Sequence, residues 1–236
     1  MVTLQTDRHV FVAGKTRSGK TVLVQSFLNT LPRVVVHDQK GEWGNYAARN
    51  HYYIVHTPGE LDVLLNKGAS RVIYQPAAGD ESLDGFDDFC EVVYRQYNLN
   101  LVIDEAASYC RSNQVPKWTS ALLRLGNGRG VGVISLTQRP RDVSNVLLSE
   151  SVIIVAFRLQ LRTDRTKIIE TIGTEVEGVT TGEWRQMIGY NVDPNINSDA
   201  PAQVNTVLRT MPKWHFLLYD SESEETHICA PVQHNL

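Results

Sequence analysis

Cysteine is scarce in this chain of 236 residues: Cys90, Cys110 and Cys229 are an odd count at spacings that match no zinc site. A disulfide scaffold is excluded on those numbers, free thiols suit a reducing compartment, and burial as small hydrophobes is their expected role. No apolar run approaches the roughly 18 residues that cross a bilayer, and the N-terminus lacks the charged-then-apolar pattern of a signal peptide. The expectation is a protein without a membrane span, soluble and cytoplasmic. Net charge is only −3, so bulk charge does not announce a nucleic-acid partner. Internal repeats and low-complexity tracts are absent, and the histidines, His37 and His56 included, form no metal-ligand spacing.

What is present is a hydrophobic content of 42%, enough to bury a substantial core in one domain spanning residues 1–236. Short β-branched runs alternate with helical stretches, the pattern of an α/β fold with a mostly parallel sheet and helices on both faces. Strands are predicted over 10–13, 34–37, 53–56, 71–74, 99–103, 131–136, 151–157, 214–219 and 227–230. Helices are predicted over 20–29, 60–65, 84–97, 117–125, 144–148, 164–172 and 182–187. The turn-rich stretch 190–202 reads as a surface loop before the last two strands, and those strands as an antiparallel edge hairpin around 220–226.

The residues Gly14-Lys15-Thr16-Arg17-Ser18-Gly19-Lys20-Thr21 spell GxxxxGK[ST], between a predicted strand and a predicted helix. Glycines let backbone N–H groups curl around phosphates, Lys20 brings a positive charge to the β- and γ-phosphates, and Thr21 offers a hydroxyl to Mg²⁺. The helix that follows directs the positive end of its dipole at the same anion. ATP or GTP with Mg²⁺ is therefore the expected ligand.

Leu99-Asn100-Leu101-Val102-Ile103-Asp104-Glu105 is an apolar strand ending in two carboxylates. Asp104 is placed to hold Mg²⁺ through its water shell, and Glu105 to orient or deprotonate a water that attacks the γ-phosphate, which argues for hydrolysis. Gln138, at the end of the following strand, can touch both the water and the γ-phosphate.

The segment Thr137-Gln138-Arg139-Pro140, preceded by Gly128-Arg129-Gly130-Val131-Gly132, resembles the FtsK/HerA superfamily of ring-forming DNA-pumping ATPases. Asp38-Gln39-Lys40-Gly41-Glu42 resembles the family's Asp-x-Lys-Gly segment. Ala156-Phe157-Arg158-Leu159 and Asp164-Arg165-Thr166 resemble the strand and helix after its glutamine, so the likeness runs from Arg8 to Ile172. It implies a RecA-like P-loop core, a homo-oligomeric ring, usually a hexamer, and ATP-driven translocation of double-stranded DNA. With the loop starting at Gly14 and little beyond a closing hairpin, the trimmed build is most similar to the genome-packaging ATPases of double-jelly-roll viruses. Capsid or portal-vertex proteins would then be partners, and the host cytoplasm or the procapsid the location. A plasmid or mobile-element translocase is the nearest rival, and a nucleotide-dependent switch or assembly factor without DNA pumping, or a small-molecule kinase, the readings from other classes.

Lys20, Thr21, Asp104, Glu105 and Gln138 still lack a cation for charge developing on the γ-phosphate, which such motors take from a neighbouring subunit. Arg129 and Arg158 lead as candidates, with Arg124, Arg162 and Arg165 behind them; Arg139 is expected to pair with an acid and fix the turn before Pro140. DNA contacts are sought at 111–117 and near Lys40, Trp43 and Arg49, although tryptophan at positions 43 and 118 is more often buried structure. Charge is locally uneven: 80–91 holds six acids and no base, while 111–165 is arginine-rich. Either a functional patch or solvated, scattered side chains fit that distribution.

Overall fold

The computed structural model describes residues 7–77, 82–189 and 197–231. Asp80 and Glu81 of the acidic run, and 190–196 of the turn-rich stretch, lie outside them.

The first half of the chain alternates strand and helix: β1 (Val10–Ala13), α1 (Lys20–Leu28), β2 (Val34–Asp38), α2 (Gly44–Arg49), β3 (Tyr53–Val55), α3 (Pro58–Asn66), β4 (Arg71–Tyr74), α4 (Leu83–Tyr94) and β5 (Leu99–Asp104). There follow α5 (Lys117–Leu125), β6 (Val131–Thr137), α6 (Asn145–Ser149), β7 (Ile153–Phe157) and α7 (Arg162–Ile172). The rest comprises β8 (Glu175–Thr180), α8 (Thr181–Met187), β9 (Pro201–Gln203), α9 (Val204–Thr210), β10 (Phe216–Asp220) and β11 (Glu225–Cys229). Nine strands form one sheet in the order β11-β10-β7-β1-β6-β5-β2-β4-β3, parallel except for β10, which runs antiparallel to β7 and β11. The closing pair is the antiparallel edge hairpin expected from the sequence.

Both faces of the sheet are buried, which is why its strands read as continuous apolar runs. Successive residues of each strand point to opposite faces. Val10 and Val12 of β1 thus pack with Leu23, Val24 and Leu28 of α1, whereas Phe11 and Ala13 join the cluster that holds Phe86 and Phe89 of α4 and Leu122 of α5. Asn100 is the second residue of β5, buried, in register with Gly132 of β6 on one side and Val34 of β2 on the other.

Four elements escape the sequence reading. The helix α2 has little apolar periodicity and owes its start to tertiary contacts described below. The strands β8 and β9 pair as a separate two-stranded ribbon in which Val176 and Ala202 are the buried residues, too short a pattern to stand out. Of the stretch 190–202 read as a surface loop, 201–202 belong to β9, and α9 follows before the final hairpin. The apolar spacing Val204, Val207, Leu208 was a helix signal, and all three are buried.

Two acids of the 80–91 run make individual contacts. On α4, Asp87 accepts a hydrogen bond from the backbone N–H of Trp118 (2.7 Å) and so caps α5, and Glu91 pairs with Arg95. Cys90 and Cys110 are buried and Cys229 half-buried. Burial pushes the Cys110 thiol up to about 12, which leaves it inert.

His37 on β2 is buried among Tyr74, Phe86, Phe89 and Tyr109, with ring centroids 4.9–5.5 Å away. Burial lowers its pKa from 6.5 to about 3. Between those values the unfolded chain takes up a proton that the folded one refuses. Stability present above the unfolded value is therefore lost as pH falls, by up to about 1.4 kcal/mol per pH unit. Denaturant titrations at pH 7 and pH 5 are expected to show a smaller acid loss in His37→Leu than in the wild type. His9, whose pKa burial also lowers, keeps contributing with the same sign. An equal acid loss in both proteins would refute the assignment.

Candidate functional site

The strand β1 sits mid-sheet between β6 and β7 and delivers the loop Gly14–Thr21 at the carboxyl edge of the parallel strands. Crevices at that edge are where open α/β sheets bind ligands. The Gly14 N–H donates to the Thr137 carbonyl (3.1 Å), anchoring the loop to the end of β6. A Cβ on Gly14 would come within 2.6 Å of both Phe157 Cβ and Ser18 Oγ, so only glycine fits. Arg17 and Gly19 take left-handed backbone, φ 60° and 110°, and turn the chain into α1. Lys15, Thr16 and Arg17 are exposed, Ser18 is buried and Thr21 half-buried. Lys20 folds back over the loop, donating to the carbonyls of Gly14 (2.8 Å) and Lys15 (3.2 Å). Burial lowers its pKa, while the Glu105 and Asp104 carboxylates work in the opposite direction.

At the same edge, β5 ends in Asp104, two strands from β1. Burial raises the Asp104 pKa; a 2.8 Å hydrogen bond from Trp43 Nε1 to Oδ2 opposes that shift, and the neighbouring Asp38 adds to it. Asp38 stands opposite Asp104 in the β2–β5 register and is fully buried. Its Oδ1 accepts from Glu42 N (3.0 Å), and its Oδ2 from Trp43 N (3.0 Å) and Gln75 Nε2 (2.9 Å). These bonds shape the turn that opens α2 and aim the Trp43 indole at Asp104. Trp43 is thus a core residue, the weightier of the two roles expected for it, and not a DNA contact. Arg49, in the last turn of α2, is exposed.

Glu105 has left-handed backbone (φ 72°), a conformation that a non-glycine residue adopts at some cost and that turns its side chain away from the line of β5. Its Oε1 accepts from Gln138 N and from Thr137 Oγ1, each at 3.3 Å, and its Oε2 pairs with Lys40 Nζ at 3.3 Å. Gln138 Oε1 in turn accepts from Thr16 Oγ1 in the phosphate loop (2.6 Å). A hydrogen-bonded path therefore runs Lys40–Glu105–Gln138–Thr16, from the Asp38 turn to the loop. The sequence contained the Lys40 signal only as part of a motif; its ion pair with Glu105 is a product of the fold.

The arginines separate. Arg129 lies in the turn before β6, at the opposite end of that strand from Gln138, with its guanidinium 4.0 Å above the Tyr97 ring and bonded to the carbonyls of Arg95 (3.1 Å) and Gln96 (3.4 Å). The structure does not bring it to the phosphate loop of its own chain. Arg165 is buried, holding the carbonyls of Leu159 and Gln160 and the side chain of Asn205. Arg139 pairs with the buried Asp164 (3.4 Å) and, more loosely, with Asp142 (3.9 Å), the acid-pairing role expected of it. Arg124 and Arg162 are exposed on α5 and α7. Arg158, also exposed, directly follows Phe157, whose side chain abuts Gly14, so it stands at the phosphate-loop edge.

Thr21 and Asp104 supply hard oxygen donors of the kind Mg²⁺ takes together with phosphate oxygens and retained waters. Among the described residues no group of three or more His, Cys, Asp or Glu side chains is gathered to hold a metal. A cation at this edge would accordingly complete its shell from phosphate and water. Among the same residues no helix is long and apolar enough to cross a membrane.

No protein-family model matches the sequence, and no curated protein matches it. Solved structures do. The genome packaging NTPase B204 from Sulfolobus turreted icosahedral virus 2, in complex with sulfate, superposes over 98% of this chain and 100% of its own, with TM-score 0.71 at 16% identity. The same protein in complex with ATP-gammaS gives the same coverage and TM-score at 17% identity. VirB4 of Thermoanaerobacter pseudethanolicus matches over 99% of this chain and 94% of its own, with TM-score 0.62 at 11% identity. The likeness is one of fold: the chain has the α/β P-loop architecture of these proteins, mostly parallel, with helices on both faces.

Proposed function

We propose that this chain is a Mg²⁺-dependent ATPase of the FtsK/HerA type that translocates double-stranded DNA as a homo-oligomeric ring, with packaging of a viral genome as its task. The observation that carries the reading is the path joining Glu105 and Gln138 to the phosphate loop through Thr16, set in a fold shared end to end with a genome packaging NTPase. A site for binding alone has no use for a carboxylate held beside a glutamine at the γ-phosphate end of the loop.

In this reading the loop backbone and Lys20 take the triphosphate, as B204 takes ATP-gammaS and AMPPCP. Thr21 and Asp104 would hold Mg²⁺, which supplies charge neutralisation at the β- and γ-phosphates. Glu105 accepts the proton of the attacking water while Gln138 orients it. Arg129 is engaged within its own chain by the carbonyls of Arg95 and Gln96 and by the Tyr97 ring, so the exposed Arg158 is the better candidate for the cation that a neighbouring subunit would supply. A hexamer, a capsid or portal-vertex partner, and a place in the host cytoplasm or on the procapsid follow from the same reading.

Long linear duplex DNA is expected to stimulate ATP hydrolysis several-fold, with the stimulation fading as salt rises because the grip is on phosphates. A rate indifferent to duplex DNA in every oligomeric state rejects the translocase and favours a nucleotide-dependent switch.

A further inference from the structure

Trp214, in the connection between α9 and β10, is 51% exposed and has left-handed backbone, φ 66°. Bulky side chains rarely adopt that conformation, and an exposed tryptophan gains no core packing to offset it. Its ring lies against the phosphate loop: a Cβ on Gly19 would sit 3.4 Å from Trp214 Cδ1 and 3.3 Å from Phe157 Cε1. Lys213 Nζ stands 4.2 Å from the ring centroid.

The sheet order decides what such a ring can serve. Glu105 and Gln138 occupy the β5 and β6 side of β1, which sets the γ-phosphate end of a bound nucleotide there. Sugar and base must leave on the other side, toward β7 and β10. Phe216 of β10 pairs with Phe157 of β7, so the residues just before β10 lie at the same edge as the loop. Trp214 is the large flat apolar surface on that side, and no other aromatic ring among the described residues stacks on it.

We propose that Trp214 is the stacking platform for the nucleobase, and hence a residue that sets nucleotide affinity through the base; this rests on the reading of Gly14–Thr21 as a triphosphate site. Stacking on an indole face favours any base over none.

The test compares the wild type, Trp214→Phe and Trp214→Ala by calorimetric titration with MgATP and with magnesium tripolyphosphate, which has the phosphates and no base. Trp214→Ala is expected to bind ATP about tenfold or more weakly, with tripolyphosphate affinity unchanged and most of the ATP affinity retained in Trp214→Phe. Unchanged tripolyphosphate binding also reports that the variant's loop is intact. An equal loss for both ligands, or no loss for either, overturns the proposal. So does a Trp214→Ala protein that keeps its ATP affinity and loses duplex DNA binding instead. A wild type that binds neither ligand overturns the triphosphate site itself, a result separate from any about Trp214.

Discussion

Glu105→Gln protein is expected to bind ATP as the wild type does and to hydrolyse it at least about a hundredfold more slowly. The substitution keeps the shape of the side chain and removes its basicity. Phosphate binding is assigned to Lys20, Thr21 and the loop backbone, none of which bonds to Glu105, so affinity has no reason to fall. Lys40 would lose its ion pair, but with the Lys40 side chain 39% exposed that pair contributes little to stability. Single-turnover hydrolysis alongside equilibrium binding separates the two effects, and wild-type hydrolysis would remove Glu105 from the base role. The variant also reports on the neighbour: rings mixed from Glu105→Gln and Arg158→Ala subunits are expected to regain activity, because some interfaces then carry an intact base and an intact arginine. No recovery in rings shown to exchange subunits would leave Arg158 without a role across the interface.

Asp38→Ala is expected to be the most destabilising single change at this edge, by roughly 3–5 kcal/mol. Three donors, the N–H groups of Glu42 and Trp43 and the Gln75 amide, converge on this one fully buried carboxylate. Removing it also relieves repulsion with Asp104, an opposing effect. That repulsion is a smaller influence on Asp104 than burial or the Trp43 hydrogen bond, so the loss of three charge-assisted bonds wins. Urea denaturation measures the difference. Asp38→Asn, which retains one acceptor oxygen, should fall between the two. Stability within about 1 kcal/mol of wild type in Asp38→Ala would mean that Trp43 is held by packing alone.

These predictions divide along a line visible in the residues. Gly14–Thr21 and the acids ending β5 are legible because their chemistry is local: a phosphate loop needs its glycines, lysine and hydroxyl within eight positions, and a strand buried on both faces must be written in valine, isoleucine and leucine. The contact from Trp43 to Asp104 joins residues 61 apart, and the one from Thr16 to Gln138 residues 122 apart, with no periodicity to betray either. The Asp38 segment was visible as a motif, but not that its carboxylate turns inward to build a helix start while Lys40 turns outward to Glu105.

The sequence by itself determined the α/β class, the phosphate loop, the acidic strand end and the closing hairpin, because each follows from side-chain chemistry within a few residues. The tertiary structure decided which residues meet at the sheet's edge. Placing β6 between β1 and β5 brings Gln138 between the loop and Glu105. Placing β7 and β10 on the other side puts Arg158 and Trp214 beside the loop while Arg129 stays at the far end of the sheet. Strand order is a global solution to burying two apolar faces at once, so no local stretch of sequence encodes it.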